Sequence, residues 1–193
     1  MANPEEILSF WLDETGPEGW YAGGAKLDQT IRDRFEETYN QACQGALSLW
    51  LTYASGTLAY IILTDQFSRN MFRDTDKAFA SDKMAKAAAK AAISKNWDLR
   101  IDGEARQFFY MPLMHSESLE DQDRCVRLFK TRMPESSSNL LHARAHREII
   151  RRFGRFSTRN AALGRECSAA EQAYLDQGGY GAIVRELQAL EAA

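Results

Sequence analysis

His142 and His146 stand four residues apart, so a helix would carry both imidazoles on one face, at a spacing able to chelate a metal. His115 and Glu117 are the residues that would complete such a site from another helix. The residue after His142 is Ala143, which rules out the His-Glu-x-x-His signature of zinc hydrolases. Histidines bonded to backbone carbonyls are the commoner use of this spacing, and no metal is expected. The run Met111-Pro112-Leu113-Met114-His115-Ser116-Glu117 points to other chemistry. A helix broken at Pro112 would expose its end, where His115 or His146 could act as general acid–base and Glu117 as the orienting carboxylate. The plainer alternative has Ser116 or Ser118 capping the next helix and Glu117 sitting in the favourable dipole field.

Cations form the second group. One phrase occurs twice, as Ile62 to Asn70 and as Ile150 to Asn160, each running through Phe-Ser into Arg-Asn. The repeat implies stacked helical hairpins and sets Arg69-Asn70 and Arg159-Asn160 at comparable positions. The cationic run Arg151-Arg152, Arg155, Arg159 and Arg165, with Asn160, would make an anion site near a short helix beginning at Ala161. The alternative is a solvated basic surface paired with acidic neighbours.

A third group is charged where the pattern demands apolar residues. At about 100° per residue, Asp65 falls between Leu58 and Ile61, Glu104 between Phe108 and Met111, and Arg106 between Tyr110 and Leu113. His142 and His146 fall within the arc of Leu141, Ala145, Ile149, Ile150 and Phe153. A lone buried carboxylate is costly, so Asp65 requires a cation, either Arg69 or an arginine from another helix. These residues read either as a buried ionic network that fixes helix docking or as a polar pocket between helices. The network reading takes in Asp65, Glu104 and His142. The pocket reading takes Arg69, Asn70, Arg106, Tyr110, Arg155, Arg159 and Asn160 as its lining. The sequence leaves both open.

The elements that must position these groups all read as helix. Asn3 caps a first helix with Pro4 at its first position, and a loop over Leu12 to Lys26 is pinned by Trp20 and Tyr21. Helices are expected over Leu27 to Ala42, from a cap at Ser55 to Phe67, over the Ala-rich Asp76 to Lys95, and from Asp102 to Pro112. A Ser118–Asp121 capping box should open a helix to Arg132, another should run from Asn139 to Phe153, and a Ser168–Glu171 capping box should open the first of two short carboxy-terminal helices. No run alternates as a half-buried strand does. The chain is therefore read as all-α, one domain over residues 1–193.

The whole chain has 193 residues, 24 Lys plus Arg against 27 Asp plus Glu, and net charge −3. That balance argues against a general nucleic-acid binder. No apolar run reaches the roughly 20 residues of a membrane span, and no signal segment is evident. Cys43, Cys125 and Cys167 form no Cys-x-x-Cys pair, which fits a reducing cytoplasm. No nucleotide or dinucleotide loop and no nucleophile elbow is present, so no cofactor is expected. Nothing in the sequence sets the oligomeric state.

Several phrases carry a family resemblance. Ile7 to Trp11, Ile31 to Phe35, Asp65 to Asn70, Phe109 to Glu117 and Arg152 to Phe156 resemble the bacterial family named only as domain of unknown function 924. The likeness extends from about Glu5 to Leu175. It implies a fold similar to stacked tetratricopeptide hairpins and brings no activity with it. Phe67, Arg69, Arg106, Tyr110, His115, Glu117, His146, Arg155, Arg159 and Asn160 match the family pattern. Ser68 replaces its usual proline, Ser157-Thr158 replaces its Pro-His, and Ala105 stands where it tends to place glutamate. An imidazole at position 158 is thus no obligatory catalyst in this protein. The resulting expectation is a cytoplasmic helical protein that binds an anionic small molecule or an acidic peptide end in a polar cleft. An enzyme using His115 or His146, and an interaction scaffold with a purely structural ionic network, are the alternatives.

Overall fold

The structure, a computed structural model, describes residues 2–191. The described residues contain helices and turns and no strand. In chain order the α-helices are α1 (Pro4–Leu8), α2 (Gly16–Trp20), α3 (Ala25–Cys43), α4 (Ala54–Ile61), α5 (Ser68–Met71), α6 (Asp82–Ser94), α7 (Met111–Met114), α8 (Leu119–Arg132), α9 (Ser137–Phe153), α10 (Ala169–Asp176) and α11 (Gly179–Glu191). Two compact units divide the chain between Pro112 and Leu113.

In the amino-terminal unit α1 begins in a capping box, where the Asn3 side chain accepts from the Glu6 amide and Glu6 returns a bond to the Asn3 amide. The helix then widens into a π-helical stretch, Ser9–Thr15, which turns Phe10 and Trp11 into the core. A second π-helical stretch, Ile62–Phe67, continues α4 and leads into α5. Phe10, Trp11, Phe35 and Phe67 meet there, with ring centroids 4.9 Å apart for Phe35 and Phe67 and 5.3 Å for Trp11 and Phe67. The expected loop after Leu12 is partly helical as α2. Its Trp20 indole donates to the Trp11 carbonyl at 2.7 Å.

Several boundaries differ from the sequence reading. Tyr53, not Ser55, precedes α4, and Gly56 explains why. A Cβ at position 56 would lie 2.6 Å from the Trp50 carbonyl oxygen, so glycine lets α4 press against the 3₁₀ turn Ser48–Thr52. The Ala-rich helix is split into a 3₁₀ turn, Asp76–Phe79, and α6, with Ser81 buried between them and donating to the Thr64 carbonyl. The segment Gly103–Phe109 is 3₁₀ helix, so a wheel of about 100° per residue misplaces its side chains. Glu104 lies in its first turn and is exposed, contrary to the core-facing expectation. Pro112 does not end a helix. It stands near the start of α7, where its missing N–H costs nothing.

In the carboxy-terminal unit α8 and α9 are joined by a turn at Met133 to Ser136 and pack together. Arg147, late in α9, reaches Asp123, early in α8, which fits an antiparallel hairpin. Ser118 makes no side-chain cap; Asp121 instead accepts from the buried Ser116 hydroxyl at 2.7 Å. Gly154 ends α9 in the left-handed conformation, φ 71°. The core of this unit gathers Ala145, Ile149, Ile150, Phe156, Tyr174 and Ile183, with α11 lying on α9.

Candidate functional site

Arg69 and Arg106 belong to the amino-terminal unit. In the π-helical stretch Asp65 is fully buried, and its cation is Arg69, four residues on, at 3.3 Å. The same guanidinium donates to the Asp65 carbonyl at 2.8 Å and meets the Asp82 carboxylate at 2.9 and 3.1 Å. Burial works against the charge on Arg69, but Asp65 and Asp82 outweigh it and raise the pKa. Asn70 donates to Asp28 at 2.8 Å, and Arg73 makes a two-point pair with the same carboxylate. The Arg106 Nε donates to the carbonyls of Asp98 and Ile101. Tyr110, fully buried, donates to the buried Asp98 carboxylate at 2.6 Å. These polar groups are engaged in tying turns to helices.

The carboxy-terminal unit holds a denser set. After the left-handed Gly154 the chain leaves the helix and makes a short 3₁₀ turn, Ser157–Arg159, where Ser68–Met71 in the other copy is α-helical. The two copies of the repeated phrase are therefore not structurally equivalent. What they share is an asparagine that donates to a carboxylate, Asn70 to Asp28 in one and Asn160 to Glu171 in the other. Glu171 completes its capping box with Ser168 and also accepts from Arg155 at 2.7 Å through both oxygens, and from Ser157 and Asn160. The Arg155 guanidinium, with the Ser168 amide, holds the Glu171 pKa well below the usual carboxylate range.

The enzyme alternative has Glu117 orienting His115 or His146. Its carboxylate instead makes a two-point pair with Arg165 at 2.8 and 2.9 Å and accepts from the Phe156 amide at 2.8 Å. Burial pushes its pKa up, but Arg165 and that amide prevail and leave it lowered. Arg159 donates to the His115 backbone carbonyl at 2.9 Å and lies over the Phe156 ring.

The histidines form the centre of this region. The His146 Nδ1 is 2.8 Å from the His142 carbonyl, and because a carbonyl only accepts, Nδ1 carries the proton and Nε2 the lone pair. The His115 ring centroid is 6.3 Å away, and Phe156 and Tyr180 border the His146 ring at 5.5 and 5.0 Å. A narrow edge of His146 reaches solvent, yet desolvation of its ring, with repulsion from His115 next, lowers its pKa to about 3. It is neutral at any physiological pH. His142 lies 2.6 Å from the Tyr180 hydroxyl, stacks on that ring, and is lowered by burial as well. No cluster of three metal-ligating side chains occurs among the described residues.

A family model of bacterial proteins of unknown function, DUF924, matches residues 7–179. The chain belongs to this family. A solved member-like structure, the protein of unknown function ATU0120 from Agrobacterium tumefaciens, is 37% identical, with a TM-score of 0.85 over 90% of this chain and 97% of that one. No curated protein matches the chain. No helix of the DUF924 chain is long and apolar enough to cross a membrane among the described residues.

Sequence reasoning did not find Tyr180, Asp28, Arg73, Asp82 or Asp98. Their partners lie 12 to 45 residues away in sequence, beyond the reach of helical spacing. Glu171 was visible only as a capping residue.

Proposed function

We propose that this DUF924 protein is a binding protein for a small anion, or an acidic peptide end, held in its carboxy-terminal unit by Arg159, His115 and His146. The observation that carries the reading is the fixed tautomer of His146: a neutral, desolvated imidazole whose Nε2 can only accept, beside two further histidine rings and an arginine. Such a set recognises an anion that also bears a donor, such as a monoprotonated phosphate or a hydroxy acid. His146 serves as an acceptor and not as a proton shuttle, because a pKa of about 3 lies far from neutral pH. Arg69 and Arg155 take structural roles here, each already neutralised by carboxylates. The helical hairpin of α8 and α9 supports a tetratricopeptide-like array, and the spacing of Cys43, Cys125 and Cys167, with no Cys-x-x-Cys pair, supports a reducing cytoplasm.

The test follows the His146 Nε2 resonance by NMR while phosphate, lactate or acetate is added, with melting temperature measured in parallel. Phosphate and lactate should shift the resonance and raise the melting temperature by ordinary linkage, and acetate should do so less. Arg159→Gln should abolish the response with the fold intact. A His146 resonance indifferent to all three anions would refute the reading and leave the scaffold alternative.

A further inference from the structure

A groove of about 320 Å³ in the amino-terminal unit lies apart from the polar network of Asp65 and Arg69, and the proposed function leaves it unused. It runs along α4 and α6 and is lined by Leu51, Met84, Ala88, Ala91 and Trp97, with Thr57 and Tyr60 as its hydroxyl-bearing residues. The alanines of α6 leave the space open. Thr57 is satisfied by the Trp50 and Tyr53 carbonyls. Tyr60 is only 6% exposed, and its hydroxyl makes no hydrogen bond among the described residues. Burial raises the Tyr60 pKa, so that hydroxyl stays a donor. At the rim, the Lys95 ammonium sits 4.3 Å from the centre of the Trp97 ring that walls the groove.

An apolar trough with a tyrosine hydroxyl among its lining and one rim cation call for an occupant that is apolar along its length and anionic at one end. The volume lies near the lower bound, roughly 300 Å³, of small-molecule pockets, which suits a slender chain rather than a fused ring system. We propose that this groove binds a medium-chain aliphatic carboxylate, its chain along Met84, Ala88 and Ala91 and its carboxylate taken up by Tyr60 or Lys95. The site is independent of the histidine cluster in the other unit.

The experiment titrates the full chain with the unbranched carboxylates from hexanoate to decanoate. The readouts are calorimetry and the Trp97 indole NMR signal, assigned by its loss in Trp97→Phe. Affinity should rise about fourfold per added methylene until the groove is full. Ala91→Leu keeps helix propensity but occupies the trough, and should remove the chain-length dependence. Lys95→Gln, which leaves the interior untouched, should weaken octanoate roughly two- to fivefold and leave octanol unchanged. Arg159→Gln should change neither. A flat chain-length series overturns the proposal, as does undiminished binding in Ala91→Leu. If no carboxylate shifts the Trp97 signal while the signal changes with protein concentration alone, the groove serves a second copy of the chain and the proposal also falls.

Discussion

Asp65 shows how much one side chain can constrain. The π-helical stretch brings it to complete burial, and the only way to keep a carboxylate there is to supply donors and a cation. Gln66 donates at 2.6 Å and Arg69 supplies the charge. Asp65→Ala should lower the unfolding free energy by about 3 kcal/mol, the lower end for a broken buried pair, because Asp82 still holds Arg69. Urea denaturation measures it; a loss below about 0.5 kcal/mol would show a solvated residue. The pairing was half legible from sequence. Helical spacing offered Arg69 as a candidate, but whether the turn after Phe67 carried it away depended on Ser68–Met71 remaining helical.

At the scale of the element, glycine decides where the two repeated phrases part company. The first copy keeps its helix through Ser68, whose hydroxyl bonds back to the Thr64 carbonyl. The second copy meets Gly154 at φ 71°, and the chain leaves the helix before Arg155. A Cβ at position 154 would touch nothing within 4 Å, so the cost of Gly154→Ala is conformational alone. It should be about 1–2 kcal/mol, with thermal melting as the check. A melting temperature equal to wild type would mean that the left-handed turn is not needed. The capping boxes at Asn3 and Ser168 were readable because all their parts lie within four residues. The 3₁₀ character of Gly103–Phe109 was not, since the same residues suit an α-helix and the choice is made by what they pack against.

For the molecule as a whole, the depressed acids and histidines act in one direction. Glu148, held to about 2 chiefly by Arg151, and the lowered Glu117 and Glu171 stay ionised in the folded state below the pH at which the unfolded chain takes up protons. His146, lowered from 6.5 to about 3, refuses a proton that the unfolded chain accepts. In every case the unfolded state binds more protons, so stability rises with pH and is lost on acidification. The histidine part is lost from about pH 6.5 downward and the carboxylate part below about 4.5. Denaturant midpoints should therefore fall steadily from pH 7 to pH 4. His146→Gln should flatten the upper part of that curve and leave the lower part alone. Midpoints constant between pH 7 and pH 5 would contradict the burial of His146.

The sequence by itself determined the all-α class, most helix positions, the family, and the residues whose charge or imidazole was out of place on an apolar face. Those follow from periodicity and capping, which act over one or two turns. Only the tertiary structure decided what each out-of-place group does. Glu117 meets Arg165 and Arg155 meets Glu171, while His142 meets Tyr180 across 38 residues. A charge can be satisfied by any opposite group that packing brings within about 3 Å, and local spacing carries no record of that choice.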